Sequence, residues 1–314
     1  MVKKCQRFFN PNLKPTLIYP ELCFSNYGNS VALGNVFKKP KIMKNTRREF
    51  IKRFSAAATL ITVSGFESLQ AAELMNGKDA VKLRLIIASD AHYGQPDTPF
   101  EKMSETFVEK ANAFHQAASC DFCVLNGDII HNEAKFMPIA KRTFDRLNMP
   151  LYATQGNHDH VTPVAWEGIW GMPVNHAFSK KGHKIILTTT SNEAGEYLSP
   201  NLTWLSKALE KAKGKSVLLF VHIPQTKWTR HAIETPAFFE LLSKHKNVKA
   251  VFHGHEHEED GIYMKNEIPF VFDSHIGGSW GTDYKGFRVV EVMKNGNIVT
   301  YMMNPDVEIS RDAL

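Results

Sequence analysis

An α/β fold that finishes in a β-rich segment is the class predicted by this 314-residue sequence. Two observations predict it. Short apolar runs of strand length alternate with longer amphipathic runs as far as Gly261, and beyond that point strand follows strand with turn signals between. Size and composition agree. With 43% hydrophobic and 22% charged residues the chain can bury one large core or two small ones, and its 4 cysteines are too few for a disulfide scaffold.

Val81–Ser89, Asp121–Asn126, Leu151–Gln155, Ile185–Thr190, Ser216–Val221 and Val248–Phe252 are short and rich in β-branched or aromatic residues, as strands are. Between several of them, Glu101–Ala118, Glu133–Asn148, Pro200–Ala212 and Thr235–His245 read as helices. Phe107, Ala111, Phe114 and Ala118 recur at helical spacing and give the first helix one buried face. Asn201-Leu202-Thr203-Trp204 and Glu234-Thr235-Pro236 are helix starts. After Gly261 come Ile262–Lys265, Pro269–Phe272, Phe287–Met293 and Ile298–Met303, the last two joined by the hairpin signal Asn295-Gly296.

The formal net charge of +6 suggests a polyanionic partner until its distribution is examined. Residues 1–72 hold 12 Lys/Arg against 3 acids, whereas the remainder holds 26 against 29 and contains all 14 His. The basicity therefore belongs to the N-terminal segment. There Met43 to Arg53 is a basic stretch, Phe54 to Phe66 an uncharged run of 13 residues, and Ala71-Ala72 a small-residue end. That run is too short to span a bilayer as a helix, which takes about 20 residues. Thr46-Arg47-Arg48-Glu49-Phe50-Ile51-Lys52 resembles a twin-arginine export signal, with Ile51 in place of the usual Leu. The expected organisation is a signal peptide over 43–72 and one α/β domain over 73–314. Leaders of this kind start within a few residues of the initiator, so translation is expected to begin at Met43, with 1–42 a non-native, disordered extension.

What ends the strands carries the chemistry. Leu83–Ser89 runs into Asp90-Ala91-His92, Phe122–Asn126 into Gly127-Asp128, and Leu151–Gln155 into Gly156-Asn157-His158-Asp159. Val217–Val221 runs into His222, and Val248–Phe252 into His253-Gly254-His255-Glu256-His257. Ligands collect at the C-terminal edge of βα sheets, where the loops converge. Gly127, Gly156 and Gly254 suit close backbone packing around a crowded site. Oxygen and imidazole donors without a thiolate suit Mn, Fe or Zn. Seven donors exceed one metal's set, and a shared carboxylate would let them hold two ions about 3.5–4 Å apart.

Each motif alone is commonplace; their joint order after five strands is not. The series Asp-x-His, Gly-Asp, Gly-Asn-His-Asp, His, Gly-His-x-His resembles the calcineurin-like metallophosphoesterase family, over roughly Leu83 to Val290. The resemblance implies a four-layer αββα sandwich of two mixed sheets flanked by helices. It implies Asp90, His92 and His257 on a first metal, Asn157, His222 and His255 on a second, and Asp128 bridging. His158 would protonate the leaving group, and Asp159 would orient His158. Solvent shared by two cations is acidified, so hydroxide can attack phosphorus in line while the metals neutralise the equatorial oxygens.

Departures from related patterns narrow this reading. Purple acid phosphatases carry a Tyr ligand in Gly-Asp-x-x-Tyr, where this chain has His131, and their first motif lacks the imidazole that His92 supplies. The Asp-x-His set and compact length are shared with bacterial cyclic-nucleotide and glycerophosphodiester phosphodiesterases. Phosphodiester hydrolysis is therefore expected first and phosphomonoester hydrolysis second, on a small substrate. A nuclease is disfavoured by the slightly acidic body, and no duplex nucleic acid is expected. A non-catalytic metal-binding protein would not need the full donor set and His158 together. The other expected partner is the twin-arginine translocase, which makes the location periplasmic.

Several further residues are read as packing. Tyr93, Trp166, Trp170 and Trp228 lie in loop-like stretches near motifs, but such rings more often pack locally. Asp273 to Gly281, rich in small residues, is either a pocket rim or a flexible turn. His131, His160 and His253 neighbour the motifs and are read either as second-sphere groups or as solvated loop histidines. Cys120 and Cys123 are read as packing on opposite strand faces, with a disulfide open only if Cys120 precedes the strand.

Overall fold

A computed structural model describes residues 81–304 and 306–314. The expected upstream extension 1–42 and leader 43–72 lie outside the described residues. In chain order the elements are β1 (Val81–Ala88), α1 (Phe100–Ala117), β2 (Phe122–Asn126), α2 (Met137–Phe144), β3 (Leu151–Thr154), α3 (Pro163–Trp170), β4 (Asn175–Lys180) and β5 (His183–Thr188). They continue as α4 (Leu202–Glu210), β6 (Val217–Phe220), α5 (Pro236–Ser243), β7 (Val248–His253), β8 (Ile262–Lys265), β9 (Ile268–Phe272), β10 (Phe287–Met293), β11 (Ile298–Asn304) and β12 (Val307–Ala313).

Two six-stranded mixed sheets result, ordered β12-β11-β10-β1-β2-β3 and β4-β5-β6-β7-β9-β8. β1, β2 and β3 are parallel and form one half of the first sheet, beside the antiparallel β10, β11 and β12; β5, β6, β7 and β9 are parallel in the middle of the second, between the antiparallel β4 and β8. The strands alternate with period two, yet both faces are apolar. Leu83, Leu85 and Ile87 of β1 point inward with Phe122 and Val124 to meet Ile185, Leu218, Phe220 and Phe252 of the second sheet. Ile86 and Ala88 point outward, onto Phe107 and Ala111 of α1, Met137 and Phe144 of α2, and Trp166 of α3. Ile186, Leu219 and Val251 on the outer face of the second sheet meet Leu205 and Leu209 of α4 and Phe238 and Leu242 of α5. These are the four layers, helices–sheet–sheet–helices, that the family resemblance implied. Each fully buried Leu, Ile or Phe in them contributes about 1.5–3 kcal/mol.

Local signals explain most element ends. Asn201 caps α4 by accepting the Trp204 amide at 3.0 Å, and Asn295-Gly296 turns β10 into β11. Three elements were not foreseen. α3 has its own start and stop: Thr162 Oγ1 accepts the Ala165 amide at 3.1 Å, Pro163 opens the helix, and Gly171 ends it at φ 70°. β4 and β12 are edge strands, and their polar sequences (NHAFSK, VEISRDA) do not mark them as strands. The helix expected over Glu133–Asn148 is shorter. A 3₁₀ turn at Ala134–Phe136 leads into α2, because Pro138 lacks an amide proton and fits only the first turn. No helix among the described residues is long and apolar enough to cross a membrane.

Candidate metal centre

Asp90 and His92 follow β1, Asp128 follows β2, Asn157 follows β3, His222 follows β6, and His255 and His257 follow β7. All five strands belong to the parallel parts of the sheets, so their C-terminal ends converge on one edge of the sandwich. Backbone bonds lace these ends together: Asp90 N–H donates to Gly127 O at 3.0 Å and His92 N–H to Asp128 O at 3.0 Å. The glycines make room. A Cβ on Gly127 would fall 2.3 Å from His222 Nδ1, one on Gly156 2.3 Å from Asp128 Oδ1, and one on Gly254 2.7 Å from Asp90 Oδ2. The backbone is also bent to aim the donors: Asp90, His92, Asp128 and His255 all have positive φ, between 44° and 71°. Left-handed conformations in four residues of one cluster are local strain.

The donor atoms form two groups, Asp90–His92–His257 and Asp128–His222–His255, within each of which all ligating atoms lie within 4.8 Å of one another. His257 Nε2 is 3.3 Å from Asp90 Oδ1 and 3.0 Å from His92 Nε2. Asp128 Oδ2 stands between the groups, 3.2 Å from His222 Nε2 and 3.8 Å from His92 Nε2. Atoms that share one cation at about 2.0–2.1 Å sit roughly 3 Å apart, the spacing found here. Asn157 lies between Gly156, which crowds Asp128 Oδ1, and His158, whose amide donates to that oxygen at 2.8 Å.

Four buried donor atoms at this edge, Asp90 Oδ1, Asn157 Oδ1, His222 Nε2 and His255 Nε2, have no hydrogen-bond partner within the protein. Leaving such atoms unpaired is costly unless a cation satisfies them, so the residues fit a metal pair. Their other atoms are held. His222 Nδ1 donates to Asn126 O at 2.7 Å and His257 Nδ1 to Trp280 O at 3.1 Å, which presents Nε2 of each to the centre. Asp90 Oδ2 accepts the His255 amide at 2.9 Å.

Electrostatics follow from packing acids against imidazoles. Burial raises the Asp128 carboxyl, but His222, His158 and His92 outweigh it and hold it well below the usual range. Asp90 is lowered in the same way, by His222 and His257 against burial. Burial lowers the His222 imidazole, yet Asp128 and Asp90 raise it overall to about 10. His92 and His255, dominated by burial, fall to about 3.

The general-acid candidate His158 is partly exposed, with its ring edge-on to His92 at 4.9 Å and stacked on His131 at 5.0 Å. Asp159 does not touch its imidazole. Asp159 Oδ1 accepts the Ile130 amide and Oδ2 the Gly156 amide, both at 2.9 Å, so this buried carboxylate clips the loop after β2 to the loop after β3. His158 Nδ1 instead donates to Asn132 Oδ1 at 2.6 Å. The orienting role expected of Asp159 is thus corrected: an acceptor four residues beyond Asp128 occupies that place.

The neighbouring residues divide clearly. Tyr93, Trp166 and Trp170 are buried in the first sheet's outer core, and Trp228 packs on Phe239 and Phe270. Cys120 and Cys123 are free thiols in that same outer core; Cys120 precedes β2, so strand alternation does not separate the pair. His131 Nδ1 lies 3.0 Å from His92 Nδ1, and His253 Nδ1 donates to Val221 O at 3.0 Å. Residues 273–281 do rim the centre: Gly277 N–H donates to Asp90 O at 3.0 Å, and Trp280 stacks on His257 at 4.4 Å. Sequence reasoning missed Asn132 and Asn126, and it carried Trp280 only as part of the rim segment without a role of its own. The Asn126 amide donates to Phe252 O and Asp273 Oδ2 at 3.2 Å each, tying both sheets beneath the site. Only the nearness of Asn132 and Asn126 to Gly127-Asp128 could have signalled them.

Residues 83–259 match the profile of the calcineurin-like phosphoesterases. The chain belongs to that family and is accordingly a metal-dependent phosphoric ester hydrolase. It is 26% identical over 202 residues to a probable cyclic nucleotide phosphodiesterase of Fibrobacter succinogenes, covering 59% of this chain and 77% of that one. It is 29% identical over 212 residues to the serine/threonine-protein phosphatase CPPED1 of Danio rerio (57% and 67% covered). A probable glycerophosphodiester phosphodiesterase of Arcobacter nitrofigilis is 30% identical over 154 residues (44% and 56%). The fold is shared with a dimetal phosphatase from Danio rerio: TM-score 0.59, 11% identity, 74% of this chain and 98% of that one.

Proposed function

We propose that the protein is an exported phosphodiesterase that uses a pair of metal ions, Mn, Fe or Zn, to hydrolyse a small phosphodiester of cyclic-nucleotide or glycerophosphodiester type. The observation that carries the reading is the convergence of four unpaired buried donor atoms, from the ends of β1, β3, β6 and β7, around Asp128. Asp90, His92 and His257 would hold one ion, and Asn157, His222 and His255 the other, with Asp128 shared. Bound there, the pair would supply Lewis acidity, activating a water and neutralising charge on the phosphoryl oxygens. The protein's own contribution is placement: Asn126 O and Trp280 O orient two imidazoles, and Asp159 holds two loops in register. His158 delivers a proton to the departing alkoxide from Nε2, the nitrogen left free by Asn132.

The names of the relatives from Fibrobacter and Arcobacter support a diester substrate. A phosphomonoester is the second reading, favoured by the relative named as a protein phosphatase. The Arg-Arg leader supports export through the twin-arginine route, which carries folded proteins. Two measurements test the proposal. Initial rates on nitrophenyl monoester, nitrophenyl diester and single-stranded DNA, each with and without Mn²⁺, should show the diester fastest and metal-dependent. A preference for monoester or DNA overturns the substrate class. Fractionation of the native host should place the protein outside the cytoplasm, and its retention inside would overturn the export reading.

A further inference from the structure

Among the described residues, six large apolar side chains are well exposed, and only two of them are aromatic: Tyr197 (39%) and Trp280 (43%). Both lie against the metal centre. The Trp280 indole is parallel to the His257 imidazole, at 4.4 Å and 5° between planes, and stands 4.9 Å from His92. The Tyr197 ring meets His255 edge-on at 4.8 Å. One exposed aromatic therefore stands beside each donor group, since His257 belongs to the first and His255 to the second.

The indole ring is not needed to hold His257. The bond that orients His257 is accepted by the Trp280 carbonyl, which any residue would supply. His255 is tethered to Asp90 through its backbone amide. With one indole face covered by His257, the exposure of Trp280 falls on its outer face and rim. Leaving that much apolar surface in water has a cost that nothing in the fold recovers, whereas a flat ligand ring would recover it.

We propose that Trp280, with Tyr197 on the opposite donor group, selects phosphoesters whose organic group is a flat heteroaromatic base, a nucleotide rather than a glycerol ester. This rests on the phosphodiesterase reading and narrows its substrate class. Indole–base stacking changes affinity by roughly 5- to 150-fold when the ring is removed.

The test uses metal-loaded full-length protein and calorimetric dissociation constants for adenosine monophosphate, glycerol 3-phosphate and inorganic phosphate, with metal content measured on every variant. The wild type should bind the nucleotide at least about tenfold more tightly than glycerol 3-phosphate. Trp280→Ala should remove that margin while leaving phosphate affinity and metal content unchanged; Trp280→Phe should keep most of it; Tyr197→Ala, made alone, should narrow it. Uniform weakening of all three ligands, or loss of metal, in Trp280→Ala would mark the ring as structural and overturn the inference. So would a wild type with no preference for the base. If no ester is hydrolysed at all, the enzyme reading fails and takes this one with it; hydrolysis without base preference defeats this one alone.

Discussion

Asn132→Ala probes the one contact that sets the direction of the assigned acid. The side chain accepts from His158 Nδ1 at 2.6 Å, while His158 is otherwise held by its own backbone amide on Asp128 and by stacking on His131. A hydrogen bond to a partly exposed ring contributes about 0.5–1.5 kcal/mol, so turnover should fall roughly 2- to 12-fold as the ring samples unproductive orientations. His158→Ala removes the proton itself and should cost about 10²–10⁴-fold. It should keep both metals, because the bond to Asp128 comes from the backbone. In the double variant, Asn132→Ala should add nothing to His158→Ala, since it acts only through that ring. The assay is kcat on two diesters, one losing nitrophenolate and one losing an alkoxide, with metal content checked throughout. The alkoxide needs the proton far more, so both variants should suffer more on that substrate. Additive losses in the double variant, or a deficit equal for both leaving groups, would refute the assignment.

Asp159→Asn should lower stability by about 1–3 kcal/mol in urea denaturation, because one of two buried amides loses its acceptor. A hundredfold loss of kcat at full stability would instead return Asp159 to the chemistry. Arg288 is fully buried, with Phe272 O and Asp260 O accepting at 2.7 and 2.6 Å and Asp273 at 3.4 Å. Arg288→Met strands that carboxylate and should cost about 3–5 kcal/mol, with Arg288→Met/Asp273→Asn costing less; equal cost would show that the ion pair is immaterial. Asp128→Ala should lose metal as well as activity, and a variant that still binds two equivalents would remove Asp128 as the shared ligand. Metal affinity should rise with pH. Burial lowers His222, but Asp128 and Asp90 hold it up to about 10, so through the neutral range the ion that His222 holds must displace its proton. The gain is up to about tenfold per pH unit, read by competition with a chelator; a flat profile would contradict it.

The strand ends were legible because two rules coincide in the string of letters. A parallel strand buried on both faces reads as an unbroken apolar run, and the first polar residues after it stand at the sheet edge. Asp90, Asp128, Asn157, His222, His255 and His257 could be picked out on that basis. β4 and β12 could not, since edge strands carry mixed polar sequences. α3 is short and its apolar residues show no clear periodicity, although Thr162-Pro163 and Gly171 bracketed it. Neither Asn132 nor Trp280 belongs to a motif. Asn132 looks like any loop amide, and Trp280 reaches His257 only because the loop after β9 folds back over the end of β1.

The identity and order of the donors are properties of the chain alone, because ligand chemistry belongs to residue types and strand ends are marked by local patterning. Which atom of each donor faces the centre, which neighbour holds the other atom, and which exposed rings surround it depend on contacts between segments far apart in the chain. Asp159 shows the difference: the family resemblance made it the partner of His158, but its two oxygens went to the amides of Ile130 and Gly156. A buried carboxylate must satisfy both oxygens, and the nearest donors in space were not the nearest in sequence.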